Sequence, residues 1–278
     1  MEKRTEPQSE PSSRPHSPPS TRDALKTPRL SHRRQLSNIS TGVSSGPNQE
    51  NQFALIKLGD LASINMERLL SYPPEVSGWT PLTMELIGTL DSSLSTPPVR
   101  RRAAETIVRI VMEASTAVAS QEEESRGRIQ IRLLEAFHDA LNPLQMEDRQ
   151  PTVTNHATDI EVHKIILDGL RGILENCGES LVKGWELVFE IIDTIFVNRA
   201  VPLGENGLTR QHAVLAARSV RLIRPSFASL ELVCSDFLSS LPNSCFLKLV
   251  DTLYKFCSQD DELNVALTVG FVTLMVVC

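Results

Sequence analysis

The sequence predicts an all-α fold, in which a stack of amphipathic helices follows a disordered N-terminal head. From residue 53 onwards, apolar residues recur every three or four positions, which is the spacing of one helix face. Proline, glycine or asparagine separates these segments, and no segment alternates as a half-buried strand does. Aromatic residues make up only 5% of the 278 residues, fewer than a β-sandwich or barrel typically uses.

Residues 1–50 are predicted to form the disordered head. They contain 7 of the 17 prolines and 10 serines but no Phe, Tyr or Trp. Such a segment buries too little apolar surface to offset the entropy of the unfolded chain. It carries 8 Lys/Arg against 5 Asp/Glu, a net charge of +3 that leaves −9 for residues 51–278. The head and the helical part therefore differ in the sign of their charge.

Three positions in the head have the form of phosphorylation sites. Ser17 and Thr27 each precede a proline, as in proline-directed sites, and Ser37 ends an Arg-x-x-Ser sequence that begins at Arg34. Phosphate at Ser17, Thr27 or Ser37 would add negative charge to a basic segment. We therefore treat these three residues as candidate phosphorylation sites that tune membrane or partner contact.

The first three predicted helices have clear start and stop signals. One covers residues 52–70 and stops before Pro73 and Pro74, because proline lacks the amide donor that a helix needs. The second begins at Thr80-Pro81 and the third at Thr96-Pro97, with threonine as N-cap and proline as the first helical residue. An unbroken apolar stripe runs along the third, over residues 99–118.

Further helices are predicted along the rest of the chain, broken by Pro143, Gly178, Pro225 and Pro242. Residues 143–157 are predicted to be a polar loop. The predicted helices cover residues 129–141, 160–177, 181–196, 208–223, 226–241 and 244–256, and a last one begins near Asp260. About ten helices after residue 50 predict an armadillo/HEAT-like helical solenoid, with a compact bundle as the alternative.

A short internal sequence repeat supports the prediction of stacked helices. The pairs Gly78-Trp79 and Gly184-Trp185 lie 106 residues apart, each just before or inside an apolar run. That separation corresponds to two or three helical repeats. Two matches of this length indicate a repeat without establishing its period.

The composition argues against several functional classes. A formal net charge of −6 is unlike that of a protein that mainly neutralises nucleic-acid phosphates. The five cysteines are an odd set without a C-x-x-C pair, which indicates reduced thiols rather than a zinc site or a disulfide framework. The N-terminus lacks the apolar core of a secretory signal, and no apolar run is long enough to span a bilayer. A cytoplasmic or nuclear location is therefore expected.

The sequence contains no set of residues typical of catalysis. It lacks the H-E-x-x-H, G-x-x-x-x-G-K-[ST], G-x-G-x-x-G and G-x-S-x-G motifs of metalloproteases, nucleotide-binding proteins and hydrolases. Glu135 and His138 have the spacing that a di-iron bundle uses twice, but the second copy is missing. We interpret both, with His156 and His163, as helix-surface residues. No catalytic residue, metal ligand, cofactor or small-molecule substrate is therefore predicted.

Two groups of residues have both a structural and a functional interpretation. Arg100, Arg101 and Arg102 form the most basic run outside the head; they are a candidate contact for phosphate, an acidic partner or anionic lipid, or simply a solvated helix face. The apolar run around Trp185 predicts a buried contact between repeats rather than an exposed anchor. The expected core residues are Trp185, Phe189, Ile192 and Phe237.

Several motifs resemble proteins of the Mon-two (monensin-sensitivity) family. These are the run that begins Phe53-Ala-Leu-Ile-Lys-Leu-Gly-Asp-Leu, the Tyr72-Pro-Pro-Glu-Val-Ser-Gly-Trp turn, and Pro98-Val-Arg-Arg-Arg-Ala-Ala-Glu. Gly184-Trp-Glu-Leu-Val-Phe-Glu-Ile resembles a helix that this family shares with the BIG-type large Arf exchange factors. Arg224-Pro-Ser-Phe and Glu262-Leu-Asn-Val-Ala-Leu-Thr resemble two further family signatures. The resemblance covers about residues 53–268.

The resemblance implies a function that the residues alone do not. Family members are longer armadillo-type proteins that act as scaffolds in Golgi and endosome trafficking, and they lack the catalytic exchange domain of the large Arf exchange factors. The implied function is a non-catalytic scaffold at Golgi and endosomal membranes, in peripheral contact with them. The implied partners are a Dopey-type protein and Arf-like small GTPases. The alternative is a regulatory module of an Arf guanine-nucleotide exchange factor.

The chain is expected to be one internal piece of such a protein. Residues 269–278 stop within what the pattern predicts to be a continuing helix. A solenoid that is cut there exposes an apolar face. The predicted domains are therefore the head, 1–50, and an armadillo-like segment, 51–278, truncated at its C-terminus.

Overall fold

The computed structural model describes residues 46–92, 94–145, 153–202 and 211–277, which form eleven α-helices and one β-hairpin. The first helices are α1 (Pro47–Ile64), α2 (Met66–Ser71), α3 (Pro74–Ser77), α4 (Trp79–Asp91), α5 (Pro97–Val118) and α6 (Glu123–Gln145). The later elements are α7 (Val153–Cys177), α8 (Trp185–Asp193), β1 (Phe196–Pro202), β2 (Gln211–Ala217), α9 (Val220–Leu232), α10 (Phe246–Ser258) and α11 (Leu263–Val277). The all-α fold is confirmed.

The longer helices stack in two layers. In one layer, α1 packs on α5, α5 on α7, α7 on α9 and α9 on α11. In the other, α4 packs on α6, α6 on α8 and α8 on α10. Consecutive helices such as α4 and α5, or α10 and α11, connect the layers. Helices from both layers bury their apolar stripes against each other, as in a helical solenoid.

The stripe predicted on α5 is confirmed as the centre of this core. It consists of Val99, Ala103, Ile107, Ile110, Ala114 and Val118, and every one of these side chains is buried. Spacings of three and four residues place them on the side of the helix that meets α1, α4 and α7. The periodicity therefore located the buried face correctly.

The start of α4 differs from the prediction. Gly78, rather than Thr80, is the N-cap, and Trp79 is the first helical residue. Gly78 has a φ of 93°, a left-handed conformation that glycine adopts without steric cost. At α5, Thr96 is the N-cap as predicted, but its hydroxyl donates to Asn48 (3.1 Å) rather than capping the helix.

The two Gly-Trp pairs have the same local structure. Gly184 is the N-cap of α8 with a φ of 99°, and Trp185 is the first residue of that helix. Trp79 and Trp185 are both buried. Since α4 and α8 lie in the same layer with α6 between them, the sequence repeat joins equivalent positions two helix pairs apart.

The hairpin corrects the described part of the helix predicted over residues 208–223, since Gln211–Ala217 form a strand. β1 and β2 pair antiparallel, with Phe196 opposite Ala217 and Pro202 opposite Gln211. Alanines in β2 have helical propensity, but pairing with β1 satisfies the backbone of this segment instead. The helical start signal comes later, where the Ser219 hydroxyl accepts from the Arg221 amide (3.3 Å) and opens α9.

Two prolines that were predicted to stop helices lie inside them. Pro225 is the sixth residue of α9, and Pro143 lies in the last turn of α6. The first four amides of a helix have no intrahelical acceptor, so Pro225 removes one hydrogen bond just beyond them. That loss does not end the helix, because the buried face of α9 packs on α7. The helix predicted over 226–241 therefore begins earlier, at Val220.

The predicted boundary between head and helices falls just inside the described part of the chain. α1 begins at Pro47, within the last residues of the segment assigned to the head. The greater part of that head, residues 1–45, lies outside the described residues, as do the candidate sites Ser17, Thr27 and Ser37. The domain division remains a prediction.

Candidate interaction surfaces

Arg100 is a buried structural residue, which does not fit the predicted exposed contact. Its side chain is 4% exposed and forms an ion pair with Asp159 of α7. Its Nε also donates to the carbonyl of Leu90 at the end of α4 (2.6 Å). One side chain thus joins α4, α5 and α7.

Arg101 and Arg102 are partly exposed but paired. Arg101 lies 3.4 Å from the carboxylate of Glu161, and Arg102 lies 2.7 Å from that of Glu105. Exposed pairs of this kind contribute little stability, yet they lower the positive charge presented to a ligand. A role for Arg101 and Arg102 in binding an anion remains a prediction.

Arginine side chains close the C-terminal ends of four helices. The last carbonyls of a helix have no intrahelical donor, and here an arginine from another position donates to them. The contacts are Arg100 to Leu90 after α4, Arg126 to Ala119 (3.2 Å) and Gln121 (3.1 Å) after α5, Arg132 to Leu69 (3.1 Å) and Tyr72 (3.2 Å) at α2, and Arg218 to Leu144 (2.6 Å) and Gln145 (3.0 Å) of α6. We call these contacts the arginine caps. Sequence reasoning missed all four, because an acceptor carbonyl leaves no pattern in the sequence.

The four residues expected in the core are all buried. Trp185, Phe189, Ile192 and Phe237 are between 0% and 6% exposed. The Trp185 and Phe237 rings lie 5.9 Å apart. A Cβ at Gly178 would come within 2.3 Å of the Phe237 ring, so a larger residue there would force the ring to move. This cluster is a packing centre between α7, α8 and the turn that follows α9.

His163 is a buried residue of α7, which corrects its interpretation as a surface residue. Its Nε2 lies 2.8 Å from the Thr194 hydroxyl, which itself donates to the carbonyl of Ile191 (2.5 Å). Because that hydroxyl has a single proton, His163 Nε2 is the donor to Thr194. Burial, with the positive charge of Arg218, lowers the pKa of His163 to about 3. The imidazole is therefore neutral at physiological pH.

A pocket of about 270 Å³ adjoins His163, between α7 and the base of the hairpin. His156, Asp159, Asn198 and Arg218 also line it. Asp159 is paired with Arg100, and Arg218 caps α6. These side chains therefore hold helices together, and the lining brings together no nucleophile with a base.

The thiols of three cysteines are held in their protonated form. Burial raises the pKa of Cys177 and of Cys245, and burial together with Glu231 raises the pKa of Cys234 to about 11. A thiolate, not a thiol, is the nucleophile in cysteine chemistry. These cysteines therefore act as core residues. Within the described residues, no cluster of His, Cys, Asp or Glu has the form of a metal site.

Both ends of the stack expose apolar side chains. α1 exposes Phe53, Ile56, Leu61 and Ile64, and α11 exposes Leu263, Leu267, Phe271 and Leu274. The opposite side of α11 is buried through Val265 and Val269. We call the exposed sides of these two helices the α1 end face and the α11 end face. Among the described residues between Leu94 and Val220, no large hydrophobic side chain is exposed.

The fold and these surfaces define a class of protein, the two-layer helical solenoid. Its apolar faces and partly exposed charges suit contact with other proteins better than chemistry on a small molecule. In the part of the chain that the structure describes, no helix is both long enough and apolar enough to cross a membrane.

The chain is similar to Mon2 proteins over most of its length, as comparison with curated proteins shows. It is 28% identical over 211 residues to the MON2 homologue of Schizosaccharomyces pombe and 29% identical over 234 residues to that of Homo sapiens. It is 23% identical over 235 residues to MON2 of Saccharomyces cerevisiae. These matches cover 76%, 84% and 77% of this chain but only 12%, 11% and 14% of the relatives. The predicted resemblance is confirmed.

Other comparisons add no further relative. No protein-family model matches the sequence, and no solved structure matches the chain with significance.

Proposed function

We propose that the chain is a non-catalytic scaffold segment in Golgi and endosome vesicle-mediated protein transport. The observation that carries this proposal is the similarity to Mon2 proteins across about four fifths of the chain. Similarity to this family implies the trafficking role, a Dopey-type protein and Arf-like small GTPases as partners, and peripheral contact with Golgi or endosomal membranes. The helical part presents the binding surface.

The physical character of the surface supports a scaffold. The polar groups in and beside the pocket at His163 are engaged in structural contacts: Asp159 and Arg100 in an ion pair, Arg218 in a cap, and His163 with Thr194. The end faces instead expose contiguous apolar side chains of the kind that proteins use to bind one another.

Co-purification from cells tests the trafficking role. The full chain, tagged at its own locus, should recover Golgi and endosomal proteins, including a Dopey-type protein and an Arf-like GTPase. Phe189→Asp places a carboxylate at a fully buried site and should abolish this recovery with the fold. Ala117→Asp introduces the same charge at an exposed position of α5 and should leave recovery unchanged.

Two outcomes would contradict the proposal. If an unrelated complex is recovered in place of trafficking proteins, the helical stack serves another process. If trafficking proteins are recovered equally with Phe189→Asp, they do not bind the folded solenoid, and the helical part is not their scaffold.

A further inference from the structure

Positive charge is concentrated in a pocket between the turn after α2 and the first half of α6. The pocket has a volume of about 580 Å³, and Arg128 and Arg132 line it together with Ser71, Tyr72 and Ser125. None of the described residues that line it is acidic. This is unusual for a protein with a net charge of −6. We call it the two-arginine pocket.

Arg132 is fixed in place at the wall of this pocket. Its Nη1 donates to the carbonyls of Leu69 (3.1 Å) and Tyr72 (3.2 Å), so the guanidinium plane is held before any ligand arrives. No nitrogen of this guanidinium is both buried and without a hydrogen-bond partner. A group held in this way loses little side-chain entropy when it binds an anion.

Arg128 lies one helical turn before Arg132 and is exposed. In the described part of the chain it has no ion pair, whereas Arg100, Arg101 and Arg102 each have one. Burial lowers the pKa of Arg132, and the positive charge of Arg128 adds to this, although the carboxylates of Glu75 and Glu135 oppose the shift. The two guanidinium groups therefore repel each other, and an anion between them would relieve that repulsion.

We propose that the two-arginine pocket binds a phosphate monoester on a peptide segment of a partner protein. A phosphorylated side chain carries nearly two negative charges at neutral pH and three acceptor oxygens, which match two guanidinium groups. Clusters of arginine are a recurrent means of reading such segments. The hydroxyls of Ser71 and Ser125 add two polar groups to the same pocket.

The rim of the pocket favours a peptide over a membrane. A second pocket of about 510 Å³ shares Ser71 and Tyr72 with the first and is also lined by Val76. Tyr72 is 55% exposed and Val76 is 69% exposed, so apolar side chains that flank the phosphate have a surface to contact.

The test measures fluorescence anisotropy of the full chain with two labelled peptide pools. Both pools have randomised flanks, and they differ only in a central phosphoserine or serine. We expect the phosphorylated pool to bind about tenfold more tightly, and inorganic phosphate to compete with it. Arg128→Ala should weaken binding about tenfold, because it removes a charge-assisted contact.

Arg221→Ala is the matched control. Arg221 is an exposed arginine at the start of α9 and, within the described residues, has no ion pair and lies outside the pocket. Its loss removes the same charge and should leave affinity unchanged. Arg132→Lys keeps the charge but loses the fork of donors that holds the guanidinium, so its affinity should fall between wild type and Arg128→Ala. Circular dichroism of each variant should match wild type.

Three results would overturn the proposal. The first is equal binding of the two pools. The second is an equal loss of binding in Arg128→Ala and Arg221→Ala, which would reveal a general charge effect. The third is Arg128-dependent binding to phosphatidylcholine–phosphatidylserine vesicles without discrimination between the pools, which would assign the pocket to lipid. This proposal rests on the proposed scaffold function, because its ligand is a segment of a protein partner. Because no trafficking protein is present in this assay, its failure is distinct from failure of the co-purification.

Discussion

The middle of the stack and its two ends differ in how completely they bury their apolar residues. In α5–α8, the described large hydrophobic side chains are buried or partly buried, and arginines cap the ends of α5 and α6. α1 and α11 instead bury one side and expose an apolar stripe on the other. The middle is therefore stabilised by contacts within the chain, whereas the end faces retain the capacity to bury more surface. The two regions thus differ in how much apolar surface they leave exposed.

The largest expected effect comes from truncating a side chain in the middle. Trp185 is 1% exposed, and Trp185→Ala should lower the free energy of unfolding by about 3–5 kcal/mol through lost burial and the cavity that remains. Phe271→Ala, at a side chain that is 72% exposed on the α11 end face, should change it by less than about 0.5 kcal/mol. Chemical denaturation of both variants measures the difference. Equal destabilisation would remove the contrast between middle and end.

A smaller loss of stability is expected at acidic pH, and it also arises from a residue in the middle of the stack. The pKa of His163 is about 3 in the folded chain and 6.5 in the reference state, so between these values the unfolded chain binds more protons. The stability that comes from keeping His163 neutral in the folded chain is fully present above pH 6.5 and is lost as the pH falls toward 3. At pH 5 the loss should be about 2 kcal/mol.

His163→Gln isolates this acid effect from the titration of carboxylates. The glutamine amide can still donate to the Thr194 hydroxyl, but it does not titrate. The free energy of unfolding should therefore decrease between pH 7 and pH 5 by about 2 kcal/mol more in wild type than in the variant. Parallel losses in the two proteins would mean that His163 is protonated, or exposed, in the folded state.

The smallest effect on stability is expected on the α11 end face. Leu267 is 58% exposed, so Leu267→Glu should change the free energy of unfolding by less than about 0.5 kcal/mol. The same change at Leu249, which is fully buried in α10, should unfold the chain. Sedimentation at increasing concentration should show weaker self-association of Leu267→Glu than of wild type. A strongly destabilised Leu267→Glu variant would show that this face is already buried.

The parts of the fold that depend on local pattern could be predicted from the sequence. The α5 stripe follows from spacing alone. The two Gly-Trp pairs indicated a repeat, but the helix starts at Trp79 and Trp185 were predicted at other residues. The hairpin could not be predicted, because the pairing of β1 with β2 overrides the helical propensity of its alanines. The helical path through Pro225 likewise depends on packing between α9 and α7.

The surface residues were harder to predict than the core. A run of arginines resembles an exposed basic patch, yet Arg100 is buried because Asp159, 59 residues later, comes to lie beside it. Arg128 and Arg132 form no recognisable motif in the sequence, since other helix residues separate them. Their shared pocket exists only because the turn after α2 packs against α6. Long-range contacts of this kind carry no local signal.

The arginine caps make the completion of one helix depend on the arrival of another. Arg132 caps α2 from more than 60 residues away, and Arg218 caps α6 from more than 70. Until the later helix docks, the last carbonyls of the earlier one face water and its final turn frays. Neighbouring helices therefore fold as coupled units, and amide exchange at the ends of α2 and α6 should report on the docking of α6 and of the segment before α9. The solenoid gains its cooperativity at these ends as well as in its core.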